Sequence, residues 1–277
     1  MKQNHKAFSA NHFTDIFDIP FSPADYSRFK FGCKDVARKF GKELASKFIK
    51  SDLFINQLDN FKQGQQIVVI PSPYQFIPTA TSAMKDYFIA QFNHDLIDMG
   101  LDPVQEGKIY RTITYTEDYG AMTSEERRKF ISNDAFYIDR EFVKNKFCIF
   151  MDDIKITGTH EEMVQLMADA YELDCSYIYL YYAQLDNPDT HPQIENFLNY
   201  ASIKNLLDVN DIIQNQNFIF NTRVIKYILN APYDECKNFL LYQSLTFRNT
   251  LYHYAIGNSY HKIDKYAKNL KYLRELI

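Results

Sequence analysis

The feature that most constrains the fold is a set of short apolar runs separated by segments of helical period. The runs are QQIVVI (65–70), KFCIFMDD (146–153) and SYIYLYYAQL (176–185). They are continuous in apolar residues rather than alternating, as strands buried on both faces of a parallel sheet are. Between them, TATSAMKDYFIAQFNHDLIDMG (79–100) and HEEMVQLMADAYEL (160–173) read as helices, the first stopped by Gly100. KDVARKFGKELASKFIK (34–50) places Val36, Phe40, Leu44 and Phe48 on one helical face. KIYRTIT (108–114) and AFYID (135–139) read as further strands. TSEERRKF (123–130) reads as a short helix opened by a capping box from Thr123 to Glu126. The alternation β-α-β-β-α-β predicts an α/β fold, a mainly parallel sheet with flanking helices.

After DNPDTHPQ the character changes. Residues 193–277 carry no strong strand signal except in NFIFNT (217–222), and predict a C-terminal all-helical extension rich in Tyr, Phe, Leu and Asn. The expected organisation is an N-terminal extension over 1–26, an α/β domain over 27–190 and a helical domain over 191–277. Residues 215–277 hold nine Lys or Arg against four Asp or Glu, so this end is locally basic.

Composition narrows the class. At 46% hydrophobic and 24% charged, the 277 residues can bury a full core. A net charge of −4 argues against general nucleic-acid affinity. No stretch has the length and apolarity of a membrane span, and the opening MKQNHKAFSANHF lacks the apolar core of a signal peptide. Cys33, Cys148, Cys175 and Cys236 stand far apart, which supports neither a zinc site nor a disulfide framework. A reducing cytoplasm is the expected location.

The stretch CIFMDDIKITGTH (148–160) carries the chemistry. In an open α/β sheet, ligands bind beyond the carboxyl ends of the strands, where Asp152 and Asp153 fall. A glycine-containing turn then leads into a helix start, which offers free N–H groups and a positive dipole end to a phosphate. Thr157 and Thr159 add hydroxyl donors. Two carboxylates upstream can accept hydrogen bonds from a sugar diol or hold a hydrated magnesium ion. A phosphate at one end and a diol at the other describe a ribose 5-phosphate. The alternative is a strand end with two solvated carboxylates and an ordinary turn.

CIFMDDIKITGTH also resembles the phosphoribosyl pyrophosphate (PRPP) motif of type I phosphoribosyltransferases. That resemblance implies that Asp152 and Asp153 contact the ribose hydroxyls and the metal, and that Ile156, Thr157, Gly158, Thr159 and His160 wrap the 5-phosphate. The sequence departs from the family pattern at Lys155, usually apolar, and at His160, usually Thr. It departs also at Ile156, where some purine-salvage members carry an aspartate proposed as general base. SRFKFGCKDVARKFGKELA (27–45), IVVIPSP (67–73) and AMTSEERRKFISNDAF (121–136) are similar to segments of the ComF-like branch, through Lys30, Gly32, Glu126, Arg127, Arg128, Ala135 and Phe136. The resemblance covers residues 27–185.

In catalytic relatives the loop after the IVVIPSP strand offers backbone amides to the pyrophosphate, often beside a basic residue. Here Ser72 to Ser82 contain no basic side chain. The pyrophosphate site implied by the resemblance is Ser72, Pro73 and Tyr74, with cations from Lys30, Arg111, Arg127 or Arg128. The other reading of Arg127 and Arg128 is a solvated helix face.

The expected function is phosphoribosyl transfer from magnesium–PRPP to an acceptor, most simply a nitrogenous base, with release of pyrophosphate. No residue identifies the acceptor. The alternatives are a non-catalytic module that binds PRPP or a nucleotide, and a ComF-like accessory protein in nucleic-acid uptake or processing. HEEM (160–163) is not H-E-x-x-H, so metalloprotease chemistry is not indicated. Lys262, Lys265, Lys268 and Lys271 interleave with Tyr260, Tyr266 and Tyr272, which suits a nucleic-acid backbone or a solvated face beside a buried aromatic stripe. The helical end reads as a cap on the active site, a reader of the substrate base or a dimer interface, and a homodimer is a further expectation.

Overall fold

The computed structural model describes residues 6–111, 136–187, 193–214 and 217–277. Its centre is a five-stranded sheet with every pair parallel, in the order β1-β7-β6-β2-β3. The strands are β1 (Ala7–Phe13), β2 (Ile67–Pro71), β3 (Gln105–Glu106), β6 (Phe147–Lys155) and β7 (Ser176–Leu185). The long apolar runs thus become the three central strands. Their side chains alternate between two apolar clusters: Val69, Ile149 and Met151 face one, and Val68, Ile70, Cys148 and Phe150 face the other.

The first cluster is covered by α2 (Lys34–Phe48) and α5 (Ala80–Asp98). These helices approach so closely that a Cβ on Gly41 would stand 2.4 Å from the Met84 carbonyl oxygen. The second is covered by α6 (Arg140–Val143) and α7 (Thr159–Ala170). Three shorter helices complete the first half of the chain: α1 (Pro23–Lys30), α3 (Asp52–Ile55) and α4 (Leu58–Lys62).

Of the runs at 108–114 and 135–139, the described residues β4 (Tyr110–Arg111) and β5 (Phe136–Tyr137) are strands, and they pair antiparallel with each other in a separate two-stranded sheet. The segment NFIFNT forms no strand; its Phe218 makes a single antiparallel bridge to Cys33. The helix expected over 123–130 lies outside the described residues.

Residues 7–13, within the segment read as an extension, form the parallel edge strand β1 against β7. The helical region comprises α8 (Gln193–Asn199), α9 (Leu206–Gln214), α10 (Thr222–Asn230), α11 (Tyr233–Leu241), α12 (Leu245–Gly257) and α13 (Asp264–Glu275). Its apolar residues, among them Leu198, Ile225, Leu229 and Leu251, belong to the same buried cluster as Phe40 and Met84. The core therefore runs unbroken from the sheet into the helical region. Among the described residues no helix is long and apolar enough to cross a membrane.

Candidate functional site

Strands β2 and β6 run side by side, with Pro71 opposite Met151. Their carboxyl ends therefore open at the same level, and the chain that follows each one lines a shared cavity of about 1120 Å³. The opposite wall is built by α8, α10 and the start of α13.

At the end of β6 the two carboxylates have different surroundings. Asp153 is buried, 4% exposed. Its Oδ2 accepts from Tyr26 Oη at 2.5 Å and from Lys30 Nζ at 2.5 Å. Tyr26 and Lys30 are four apart on α1, so one helical face delivers both donors. Burial pushes the Asp153 carboxyl up, but Lys30, Asp152 and Tyr26 together draw it down to about 2. Asp152 Oδ1 accepts from Ser72 Oγ at 2.6 Å, Thr81 Oγ1 at 3.0 Å and the Asp153 N–H at 2.9 Å. Its Oδ2 faces His160 Nδ1 at 3.5 Å. Burial raises the Asp152 carboxyl; His160 opposes that rise and Asp153 adds to it.

The loop after β6 reverses at Gly158, whose φ of +76° lies in the left-handed region. It carries the chain into the amino end of α7, where the first N–H groups have no partner within the helix. Thr157 Oγ1 and Thr159 Oγ1 stand 2.7 Å apart, and Lys155 pairs with Glu161 at 2.8 Å. His160 Nε2 is buried without a hydrogen-bond partner. All of Ile154 to His160 line the cavity.

The loop after β2 is tied down instead. The N–H groups of Phe76 and Ile77 both donate to Asn258 Oδ1 at 3.0 Å. Thr222 Oγ1 donates to the carbonyl oxygens of Ile77 and Pro78. The Phe76 ring packs over Gly257, where a Cβ would stand 2.2 Å from it. Of the residues expected to hold pyrophosphate, Ser72 and Pro73 line the main cavity, and Tyr74 lines a smaller adjoining recess. Lys30 reaches the cavity while paired to Asp153. Arg127 and Arg128 lie outside the described residues. Arg111 and Lys226 line both spaces, so two cations flank this loop.

Sequence reasoning allowed the helical end to cap the site or read a base, but named none of the residues of the opposite wall. Glu195, Asn199, Tyr200, Arg223, Lys226 and Tyr227 all face the cavity. On α10, Thr222, Lys226 and Asn230 fall at helical spacing, a polar stripe opposite the buried Val224, Ile225 and Ile228. That periodicity was the available signal. Tyr26 could have been found from Ser22-Pro23, a helix start that places it four residues before Lys30. The interleaved lysines resolve differently: Tyr260 and Tyr266 are buried, and cannot offer stacking faces to a nucleic acid.

Two carboxylates suit a magnesium ion that keeps most of its waters and shares substrate phosphates. Asp153 Oδ2 is already occupied by Tyr26 and Lys30, so Asp152 Oδ2 is the better-placed ligand atom. Among the described residues no group of three or more His, Cys, Asp or Glu could hold a metal on its own.

Comparison with known proteins bears on the whole chain. No curated protein matches it. Among solved structures it is similar to a hypoxanthine phosphoribosyltransferase from Staphylococcus aureus, at 12% identity and a TM-score of 0.32, over 57% of this chain and 76% of that one. The family model for PRTase ComF-like proteins matches residues 5–273. With strand, carboxylate pair and left-handed glycine loop in the order that the sequence resemblance implied, the chain belongs to the PRTase ComF-like family.

Proposed function

We propose that the protein binds magnesium–PRPP and transfers its 5-phosphoribosyl group to a nitrogen acceptor, releasing pyrophosphate. The observation that carries this reading is the end of β6: a carboxylate pair, one half-buried and one buried, followed within six residues by a left-handed glycine and a helix amino terminus. The N–H groups and hydroxyls of 157–160 suit the 5-phosphate. The free edge of Asp152 suits the ribose diol or the metal, and Asp153 fixes Tyr26 and Lys30 beside it. When bound, magnesium supplies charge neutralisation for the departing pyrophosphate. Arg111 and Lys226 flank the β2 loop and add positive charge where that group leaves. The chain's own contribution is positioning and exclusion of water between the two cavity walls.

A second reading is a module that binds PRPP or a nucleotide without turnover. It is favoured by the β2 loop, where two amides are committed to Asn258 and no basic side chain is present.

Calorimetric titration with PRPP, with and without magnesium, tests the first step. Wild type should bind in a magnesium-dependent way. Asp152→Asn should lose that dependence while keeping its melting temperature, and Asp152→Asn/Asp153→Asn should lose binding. A folded wild type that ignores PRPP would reject the first reading and leave only the nucleotide form of the second. Binding without pyrophosphate release under any acceptor would select the second.

A further inference from the structure

The two parts of the chain differ in charge. Residues 215–277 hold nine Lys or Arg against four Asp or Glu, a net of +5, which leaves −9 on the rest of a chain whose net is −4. They differ also in how their lysines are held. Lys30, Lys39, Lys47, Lys85 and Lys155 each meet a carboxylate. Among the described residues, Lys237 on α11, Lys262 just before α13, and Lys265, Lys268 and Lys271 on α13 make no ion pair.

Aromatic rings hold two of these ammonium groups instead. Lys268 Nζ stands 3.9 Å from the centre of the Tyr233 ring, and Lys237 Nζ stands 5.8 Å from that of Tyr272. The two rings meet edge-on at 5.9 Å, which joins α11 to α13. A ring attracts a cation without cancelling its charge, whereas a carboxylate neutralises it. Glu235, the acid nearest Lys237 on α11 but one, is turned away to accept the Leu206 N–H at 3.2 Å. Lys265, Lys268 and Lys271 are exposed and follow one another three apart along α13, so they repel each other. A solvated face built for stability alone interleaves opposite signs. The row also leads somewhere: its first helical member, Lys265, lines the mouth of the main cavity. The floor of that cavity is acidic at Asp152 and Asp153, and the net negative field of the α/β part opposes an approaching anion.

We propose that Lys237, Lys262, Lys268 and Lys271 form an electrostatic entry track for magnesium–PRPP, which stays anionic with the metal bound, and that this substrate enters the cavity past the amino end of α13, where Lys265 receives it. This rests on the PRPP-binding reading above and adds how the site captures its substrate. The track lies on the outer surface of α11 and α13 and does not touch bound substrate. It therefore sets the rate of association and leaves the rate of departure alone. Its reach is that of exposed charges in water, so salt removes it.

The test is the association rate of radiolabelled magnesium–PRPP with the full chain by rapid filtration, and its dissociation rate by chase with unlabelled PRPP. The variant is Lys237→Gln/Lys268→Gln/Lys271→Gln. The control is Lys50→Gln/Lys62→Gln/Lys144→Gln, which removes the same charge from exposed lysines, two of which precede the amino ends of β2 and β6. At about 20 mM salt the variant should associate about fivefold more slowly than wild type, with its dissociation rate within about twofold and the control within about twofold in both rates. At about 300 mM salt the difference between variant and wild type should vanish. Retained melting temperature shows that both variants fold. Equal slowing in variant and control would reduce the effect to net charge and overturn the track. So would an unchanged association rate, or faster dissociation in the variant alone, which marks direct contact. In each of those cases PRPP binding still stands. Absence of PRPP binding by folded wild type would overturn the track together with the transfer reading.

Discussion

Two loops leave the same edge of the sheet and are held in opposite ways. The one after β2 (72–79) has its backbone consumed by the helical region: Asn258 takes two of its amides and Thr222 two of its carbonyls. The one after β6 (155–160) keeps its turn open to the cavity; the helical region takes none of its described groups, and the carboxylates before it are tied by Tyr26, Lys30, Ser72 and Thr81. A committed amide cannot also hold a phosphate, so the open loop is the one of the two with more backbone donors left to offer an anion. The tied loop serves as a wall whose charge comes from neighbouring Arg111 and Lys226. Where a fold must keep backbone donors free, it supports them from beneath with side chains rather than from the front.

The largest test of this contrast is Lys30→Met. It leaves Asp153 buried beside two hydroxyl donors, Tyr26 and the more distant Thr81, with no cation, and should cost about 3–5 kcal/mol by urea unfolding. A loss under about 1 kcal/mol would mean the carboxylate is solvated and the end of β6 is not held as described. The effect has a pH signature. The folded carboxyl titrates at about 2, below its unfolded value, so its stabilisation is complete above pH ~4 and fades as pH falls through ~2. The gap between wild type and variant should narrow over that interval.

Next is Asn258→Ala, which strips the acceptor from the Phe76 and Ile77 amides and should cost about 2 kcal/mol. Amide exchange should rise at those two residues and stay unchanged at 155–160. Accelerated exchange in both loops would erase the distinction between them. The smallest effect is Gly158→Ala. A Cβ there meets nothing closer than 3.9 Å, so the expense is the left-handed backbone alone, about 1 kcal/mol. A shift in melting temperature of a few degrees should accompany a clear fall in PRPP affinity, because relaxing the turn moves the donors. Unchanged affinity would remove the loop from the phosphate site.

Legibility in the sequence followed the same divide. The β6 site was readable because every part of it is contiguous: an apolar run, two acids, a glycine and a helix start. The tie between Asn258 and the β2 loop was not, since it joins residues more than 180 apart through one amide and imposes no period. Strand β1 was missed for a related reason. Its inward residues include Ser9 and Asn11, satisfied by Gln184 and the Tyr182 carbonyl, so the strand lacks the apolar signature of its neighbours. The cavity wall on α10 showed itself only as a polar stripe, and no spacing says which cavity such a stripe will face.

The pairing of β1 with β7 sets an order of events during synthesis. Ala7 lies opposite Tyr179, so once β1 has emerged from the ribosome it waits for about the next 170 residues before its partner exists. Loop closure over that separation is slow, and an unpaired strand edge is open to the wrong neighbour while it waits. Ser9 and Asn11 make that wait less hazardous, because they interrupt the apolar face that Phe13 would otherwise continue and so leave a shorter apolar run with which to stick elsewhere. The residues that hid this strand from view in the sequence are the same ones that let a nascent chain carry it safely.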